Sequence, residues 1–282
     1  MIDVDPAATA PHPVRTLVMG VLNVTPDSFS DGGRWFDPAV AVDHGRDLIA
    51  QGADIIDVGG ESTRPGCERT PVEEEVRRVL PVVQALSVED TALSVDTMRS
   101  QVAEKVIDAG ATIVNDVSGG LADPDILRVC AGADVDLVLM HWRGQSASMQ
   151  TLTDYDDVVA DVITELSRQV DAALAVGVAR ERIIVDPGIG FAKTAEHNWQ
   201  LLRAADAFQD AFADLRVLWG VSRKGFLGQL LAGSRGPRPA MGRDAATAAI
   251  TSYCALHGAW AVRTHEVRDN RDACETVAAL RG

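Results

Sequence analysis

Eight apolar runs in this 282-residue chain each end in polar residues that could bind a ligand or take part in catalysis. In chain order the run ends are Asn23, Asp57 to Glu61, Asp96, Asn115 with Asp116, His141, Asp186, Ser222 to Lys224, and Arg263 with His265. Asp and Asn are disfavoured inside strands, so Asp96, Asn115 and Asp186 indicate ligand recognition, with loop capping as the structural alternative. Carboxylate, amide and ammonium groups brought together would offer acceptors and donors to a planar heterocycle with an amidine-like edge.

Cations near the run ends could form an anion site in an otherwise acidic chain. They are Arg64, Lys193, Arg223, Lys224, Arg263 and His265. Arg263 and His265 flank Thr264, and alternation along an extended strand end would point both side chains the same way. Two converging donors suit a phosphate or pyrophosphate. The alternative is that Arg263 closes an ion pair with a strand-end aspartate.

Two unusually long polar segments follow the first two apolar runs. Residues 23–36 and 59–70 are rich in Gly, Ser, Thr and Asp, whereas most connections from strand to helix have about 2 to 6 residues. We expect these segments to be lids that close over a substrate and exclude water. The alternative is a pair of surface insertions.

The apolar runs alternate with segments of helical composition, so the element order is β-α repeated eight times. The predicted strands span residues 17–22, 55–58, 91–96, 112–116, 135–140, 182–185, 216–221 and 259–264. The clearest predicted helices span residues 99–109, 154–176 and 266–280. A closed (β/α)8 TIM barrel brings all eight C-terminal strand ends to one face, where the active sites of that fold lie. A doubly wound open sheet also alternates β and α, but polar residues at all eight run ends favour the barrel.

The predicted organisation is a single domain. Residues 15–282 form the α/β barrel, and residues 1–14 form a disordered N-terminal tail with three prolines. Residues 233–242, GSRGPRPAMG, are predicted to be a mobile insertion in the seventh β-α connection, because they are rich in Gly and Pro.

Composition argues against several classes of protein. Hydrophobic residues make up 46% and charged residues 24% of the chain, as in ordinary globular proteins. The net charge of −15 argues against a nucleic-acid partner, whose phosphates are neutralised by Lys and Arg. No apolar stretch approaches the roughly 20 residues that span a membrane, and the first residues lack the pattern of a signal peptide. The four cysteines are far apart, so we expect reduced thiols in a cytoplasmic protein.

The sequence does not decide the roles of three further residues. Met140 and Phe191 could form apolar walls of a site or belong to the core. A catalytic His141 would need a carboxylate partner, which the sequence does not identify, so His141 receives no role. There is no Walker A pattern and no GxGxxG after a strand, so the nucleotide-binding folds have no support.

Seven motifs together resemble dihydropteroate synthase in order and spacing. They are GVLNVTPDSFSDGG, DVGGESTRPG, SVDT, VNDVSGG, DPGIGFAKT, SRKGFLG and VRTH, and the match runs from Leu17 to the end of the chain. The resemblance implies a barrel that condenses 6-hydroxymethyl-7,8-dihydropterin pyrophosphate with p-aminobenzoate to give 7,8-dihydropteroate and pyrophosphate. It also implies a Mg2+ cofactor, a homodimer, inhibition by sulfonamides, and first loops that become ordered around the substrates.

The resemblance assigns roles residue by residue. Asn23 matches the family's Mg2+ ligand, and Arg263 and His265 match its pyrophosphate contacts. The residues that match the pterin pocket are Asp96, Asn115, Asp186, Lys224 and Arg263. The residues that match the surroundings of p-aminobenzoate are Thr63, Arg64, Pro65, Phe191, Ser222 and Lys224. The catalytic roles fall on Asp96, Lys224, Arg263 and His265, with Met140 as a further wall of the substrate pocket.

The expected chemistry needs no nucleophilic triad. If the C–O bond to pyrophosphate breaks first, the enzyme must stabilise a leaving anion and a cation on the pterin. The attacking aryl amine is neutral at pH 7, so no general base is required. Two alternatives stay open: a pterin-binding barrel without condensation activity, and a related corrinoid-linked methyltransferase. The latter would not need the STRPG and RTH motifs, which are both present.

Overall fold

The computed structural model describes residues 15–25, 38–62, 69–145 and 151–282, and within them the chain forms a closed barrel of eight strands. The strands are β1 (Leu17–Asn23), β2 (Ile55–Gly59), β3 (Ala92–Asp96), β4 (Ile113–Asp116), β5 (Asp136–Met140), β6 (Ile183–Asp186), β7 (Arg216–Trp219) and β8 (Ala261–Thr264). The α-helices in these ranges are α1 (Pro38–Ala50), α2 (Val72–Leu86), α3 (Ser100–Asp108), α4 (Asp125–Ala133), α5 (Val158–Ala175), α6 (Ala195–Arg203), α7 (Ala205–Ala211), α8 (Gly225–Leu230), α9 (Asp244–Leu256) and α10 (Val267–Arg281). The predicted (β/α)8 barrel is confirmed.

The last strand closes the ring by pairing with the first. Leu17 lies opposite Ala261 and Gly20 opposite Thr264 in the parallel ladder of β1 and β8, and Leu218 of β7 also pairs with Ala261. An open doubly wound sheet would end in two edge strands, so that alternative is excluded. Because every pair of neighbouring strands is parallel, their C-terminal ends lie on one face.

Alternate side chains of the strands fill two core layers. The inner layer includes Met19, Ile55, Ile113, Val138, Ile184 and Leu218. The outer layer packs against the helices, and in α2 it uses Val79, Val82, Val83 and Leu86 at helical spacing. The two layers hold the strand ends that carry the polar residues.

The bounds of several elements differ from the prediction by a few residues. Asp157 accepts hydrogen bonds from the backbone N–H groups of Val159 and Ala160 at 3.0 and 3.1 Å. It therefore caps α5, which begins directly after it and not at residue 154. β7 is two residues shorter than predicted, and β6 extends to include Asp186.

Residues 233–242 lie between α8 and α9, in the seventh β-α connection as predicted. Gly233 pairs with Gly236 in an isolated bridge, and the backbone N–H of Arg238 donates to the Gly228 carbonyl at 2.9 Å. The segment thus has contacts of its own, and its mobility stays a prediction.

Some predictions fall on residues that the structure does not describe. These residues are 1–14, 26–37, 63–68 and 146–150. The tail, most of the first long segment, and the predicted site residues Thr63, Arg64 and Pro65 are among them. No helix in the described ranges is long and apolar enough to cross a membrane.

Candidate active site

A cleft opens at the C-terminal ends of the strands. Its described lining residues are Asp96, Asn115, Val117, Met140, Asp186, Phe191, Gly220, Ser222, Lys224, Arg263 and His265. Every predicted substrate-binding residue in the described part of the chain therefore lines one cleft.

Arg263 connects three strands on the floor of this cleft. Its Nε donates to Asp57 Oδ2 at 2.6 Å and its Nη2 donates to Asp96 Oδ2 at 2.9 Å. Asp57 is completely buried and also accepts from Ser94 Oγ at 2.6 Å and from Asn115 Nδ2 at 3.1 Å. The ion pair that was the alternative role of Arg263 exists, and the guanidinium lines the cleft as well.

The charges of this aspartate–arginine group depend on burial and on each other. Burial raises the pKa of Asp96, with Asp57 and Glu75 adding to the effect and Arg263 opposing it. Burial alone would lower the pKa of Arg263, but Asp57 and Asp96 outweigh it and the net shift is upward. Arg263 therefore stays charged, and its fixed plane suits contact with phosphate oxygens or a flat ring.

Asp186 and Lys224 form a second charged group in the cleft. Asp186 Oδ1 accepts from the Gly188 backbone N–H at 2.7 Å. Burial raises the pKa of Asp186, and Lys224 opposes this shift. Burial lowers the pKa of Lys224 to about 8, against the attraction of Asp186. The pair offers the acceptor and the donor that the sequence predicts for a heterocycle.

Ser222 joins the ends of β7 and β8. Its Oγ accepts from the backbone N–H of His265 at 3.1 Å and lies 3.0 Å from His265 Nδ1. Thr264 is completely buried, and its hydroxyl donates to the Glu266 carbonyl at 3.0 Å. Arg263 and His265 line the cleft while Thr264 points away from it, as strand alternation predicts.

Met140 and Phe191 face the cleft together with Val117. Met98, Val117 and Met140 form a buried cluster, and the Phe191 ring packs against it. The Nζ atom of Lys224 lies 4.7 Å from the centre of that ring, which is within the range of a cation–π contact. Both residues thus border the cleft and pack in an apolar cluster, and their role as walls of a substrate pocket stays a prediction.

Asn23, the predicted metal ligand, is the last residue of β1 and lies near the aspartate group. A Cβ at Gly59 would be 3.6 Å from Asn23 Oδ1 and 3.7 Å from the Cβ of Asp96. Among the described residues, no cluster of three or more His, Cys, Asp or Glu side chains could hold a metal ion. Mg2+ usually keeps several waters and binds substrate phosphates, so the Asn23 amide oxygen would be one protein ligand among these.

Two of the predicted cations lie outside the cleft. Arg223 has a φ of 59° and its guanidinium donates to Asp244 of α9 at 2.7 and 2.9 Å. Lys193 is buried behind the cleft wall, with its Nζ 2.9 Å from His141 Nδ1. The expectation that all six cations share one site is therefore wrong for these two, because local pairing turns them away. The described cations that line the cleft are Lys224, Arg263 and His265.

Sequence reasoning named Asp57 and His141 at strand ends but gave neither of them a role. Asp57 organises the aspartate–arginine group, and its signal was a carboxylate between apolar residues in the middle of β2. His141 does have a carboxylate partner, because its Nε2 lies 3.0 Å from Glu165 Oε2. Glu165 is on α5, and no local spacing connects it to His141.

The barrel and its strand-end cleft define a class of protein. The family described as pterin binding enzyme matches residues 19–265, which include all the described cleft residues. The chain therefore belongs to the pterin-binding enzymes.

Within this family the relatives include dihydropteroate synthases. The dihydropteroate synthase of Mycobacterium leprae (strain TN) is 51% identical over 264 residues, which cover 93% of this chain and 92% of the relative. The structure of the Xanthomonas albilineans dihydropteroate synthase with 4-aminobenzoic acid has a TM-score of 0.86 and 40% identity, covering 95% of this chain and 94% of that one. The Yersinia pestis dihydropteroate synthase with a sulfonamide drug has a TM-score of 0.87 and 38% identity, with the same coverage. The chain thus falls among the dihydropteroate synthases, transferases of folate synthesis, and the sequence-based identification is confirmed.

Proposed function

We propose that this protein condenses 6-hydroxymethyl-7,8-dihydropterin pyrophosphate with p-aminobenzoate to form 7,8-dihydropteroate and pyrophosphate. The observation that carries the proposal is the presence of two complementary groups in one cleft. Asp186 and Lys224 provide an acceptor and a donor for a heterocycle, and Arg263 and His265 provide donors for an anion. A pterin pyrophosphate presents both of these features in one molecule.

In this proposal the pterin lies between Asp186, Asn115 and Lys224. The Asp186 carboxylate accepts N–H groups of the amidine-like edge, and the Lys224 ammonium donates to the ring carbonyl. Asn115 is oriented by its bond to Asp57, and the Arg263 guanidinium lies against the ring. The contacts are assigned by residue chemistry and by the family resemblance.

The reaction begins when the C–O bond to pyrophosphate breaks and its electron pair leaves with the oxygen. Arg263 and His265 stabilise the departing anion, and the buried Asp96 carboxylate stabilises the cation on the pterin. The amine nitrogen of p-aminobenzoate then forms the new C–N bond, and its proton leaves to solvent or to pyrophosphate. Asn23 would hold Mg2+, which would supply additional positive charge to the pyrophosphate oxygens.

The p-aminobenzoate ring packs against Phe191, with Ser222 beside it. The resemblance adds Thr63, Arg64 and Pro65 to this position. The homodimeric assembly and the cytoplasmic location that the resemblance implies belong to the same proposal.

The test is release of pyrophosphate with both substrates and Mg2+ present, combined with identification of the product by mass. We expect no release when either substrate is omitted, and little in excess chelator. Asn23→Ala should lower turnover roughly tenfold or more. Binding of the pterin without pyrophosphate release would favour the second candidate, a pterin-binding barrel without condensation activity. Full activity in chelator would remove Mg2+ from the proposal.

The leaving-group role of His265 has its own test. If this side chain acts mainly on the departing anion, His265→Ala should lower kcat roughly tenfold and raise the KM of the pterin pyrophosphate by much less. Steady-state kinetics on the purified variant measure both quantities. An effect on KM alone would mean uniform binding, and the leaving-group role would then be abandoned.

A further inference from the structure

Lys193, His141 and Glu165 form a chain of polar groups behind the cleft wall, and the mechanism above does not use them. Lys193 is 4% exposed and His141 is completely buried. The Nζ of Lys193 lies 2.9 Å from His141 Nδ1, and His141 Nε2 lies 3.0 Å from Glu165 Oε2. These three hydrogen-bonded side chains link the segment after β6, the end of β5 and helix α5.

Hydrogen-bond chemistry assigns the protons on Lys193, His141 and Glu165. An ammonium only donates, so His141 Nδ1 accepts from Lys193, and the ring carries its proton on Nε2 and donates it to Glu165. Burial and the charge of Lys193 lower the pKa of His141 to about 4. Hydrogen bonds from His141 and Arg143 lower the pKa of Glu165 to about 2. At neutral pH the imidazole is neutral and the carboxylate is charged.

The remaining hydrogen bonds of Lys193 hold the turn formed by residues 187–191. Its Nζ donates to the carbonyl oxygens of Gly188 and Phe191, both at 3.1 Å. The turn fits closely against its surroundings, since Gly188 has a φ of 69° and a Cβ there would lie 2.3 Å from the His141 carbonyl oxygen. The Gly188 carbonyl also accepts from the Phe191 backbone N–H at 3.1 Å. The ammonium therefore adds a charged donor to both carbonyls of a turn that already closes on itself.

Lys224 holds the same turn from the cleft side. Its Nζ donates to the Ile189 carbonyl and lies 4.7 Å from the centre of the Phe191 ring. A Cβ at Gly190 would meet Lys224 Cδ at 2.8 Å. The protein has three lysines, and two of them donate to backbone carbonyls of this one turn. The turn therefore connects an ammonium behind the wall to an ammonium in the cleft.

We propose that Lys193 is a positioning residue for this cleft. Its ammonium, braced by His141 and Glu165, fixes the turn of residues 187–191 and so sets the Phe191 ring and the carbonyl that binds Lys224. The proposal rests on the proposed function, because Phe191 is the wall assigned there to p-aminobenzoate. Lys193 is not among the described residues that line the cleft, so it acts through the turn.

The positioning depends on the charge of Lys193. The titratable and charged groups that face it are Asp186 on β6, His141 and Arg143 after β5, Glu165 on α5, and Lys224 after β7. Burial lowers the pKa of Lys193 to about 7, with Lys224 and Arg143 adding to the shift and Asp186 and Glu165 opposing it. As the pH rises through this value, the neutral amine keeps two N–H groups for three acceptors, and the turn loses a hydrogen bond.

The experiment compares Lys193→Met with the wild type between pH 6 and pH 9. Met keeps the length of the side chain and removes its charge, and Lys105→Met on the exposed face of α3 is the matched control. At pH 6 we expect Lys193→Met to raise the KM of p-aminobenzoate roughly tenfold, with a smaller change in kcat. The ratio of the two KM values should fall as the pH rises above about 8, because the wild type then also loses the charge and keeps only the hydrogen bonds of the neutral amine.

Other outcomes would overturn the inference. An unchanged KM at pH 6, or a KM ratio that is the same at every pH, would mean that Lys193 has no role in charge-dependent positioning. If Lys193→Met does not fold, Glu165→Gln takes its place. The Glu165 carboxylate raises the pKa of Lys193. In Glu165→Gln the KM of p-aminobenzoate should therefore begin to rise at a lower pH than in the wild type. The same pH dependence in both proteins would contradict the proposal. If the wild type releases no pyrophosphate, the proposed function fails. Calorimetry of p-aminobenzoate binding to the wild type and Lys193→Met at the same pH values then tests the positioning role of Lys193 separately.

Discussion

Arginine–aspartate pairs lie at both ends of this barrel, and they differ in how far water reaches the carboxylates. At the C-terminal face Arg263 binds Asp57 and Asp96, whose side chains are 0% and 8% exposed. At the N-terminal face Arg216 binds Asp136 at 2.6 Å, and that carboxylate is 20% exposed. The two arginines are about equally exposed, at 22% and 19%, so the difference lies in the carboxylates, which are almost completely dehydrated at the C-terminal face.

The difference indicates what each face is for. At the N-terminal face Asp54 binds Arg15 at 2.6 Å and also accepts from the Val18 backbone N–H at 2.8 Å. The pair therefore connects the start of β1 to the start of β2. A fully buried ion pair contributes little net stability, because desolvation costs about as much as the attraction returns. The buried charges at the C-terminal face are therefore best explained by ligand binding, and those at the N-terminal face by stability.

The largest effect expected from this comparison is that of Arg263→Lys. A lysine cannot bind Asp57 and Asp96 as a planar fork or lie flat against a ring. We expect kcat/KM for the pterin pyrophosphate to fall roughly 100-fold, or about 3 kcal/mol. Steady-state kinetics measure the fall, and a melting curve checks the fold. A variant with near-normal kinetics and a lowered Tm would mean that Arg263 stabilises the fold, like the arginines of the N-terminal face, and does not bind the substrate.

Asp186→Asn should weaken pterin binding while the protein stays folded. The amide replaces one acceptor of the carboxylate and leaves a buried N–H group of the ligand unpaired. The expected loss is about 2 kcal/mol, or roughly 30-fold in affinity. Calorimetry with the pterin pyrophosphate gives the affinity. Unchanged binding by a folded variant would take Asp186 out of the pterin pocket.

Arg216→Met tests the opposite face. Arg216 lies at the start of β7, and its Nη1 donates to Asp136 at 2.6 Å. Since this partly solvated pair stabilises the barrel and lies far from the cleft, the variant should lose about 1 kcal/mol of unfolding free energy. Its Tm should fall by about 2 °C for a chain of this size, with unchanged kinetics. A tenfold loss of kcat in the folded variant would show that the two faces are not independent.

The smallest effect concerns Arg180 and Asp214, an N-terminal-face pair whose side chains are about half exposed. The hydrogen bond from Arg180 lowers the pKa of Asp214. A lowered folded-state pKa stabilises the protein above the unfolded value of about 3.9, and this contribution is lost as the pH falls through the folded value. After allowance for solvent screening, Asp214→Asn should cost under about 0.5 kcal/mol at pH 7.

Urea unfolding of the wild type and Asp214→Asn at several pH values measures this difference. The gap between the two proteins should close below about pH 4, where the wild-type carboxylate takes up a proton. A gap that widens on acidification would contradict the assignment of the ion pair.

The strand order and most of the cleft were predictable because both leave local marks in the sequence. An apolar run followed by a polar residue identifies a strand and its functional end, and the parallel barrel brings those ends together. Asp96, Asp186, Lys224 and Arg263 therefore fall in the cleft without any knowledge of contacts. The start of α5 has no such local mark, since several acidic residues precede it and the tertiary structure selects Asp157 as the cap.

What the sequence determined by itself was the set of chemical groups on one face of a barrel and, through seven spaced motifs, the family of the enzyme. The tertiary structure decided which of those groups meet. Arg263 and Asp57 are 206 residues apart, and His141 and Lys193 are 52 apart, so neither pairing has a local pattern. Arg223 turns away because its backbone is left-handed and Asp244 is within reach. Side-chain partners across a barrel depend on strand register and helix packing, which involve the whole chain.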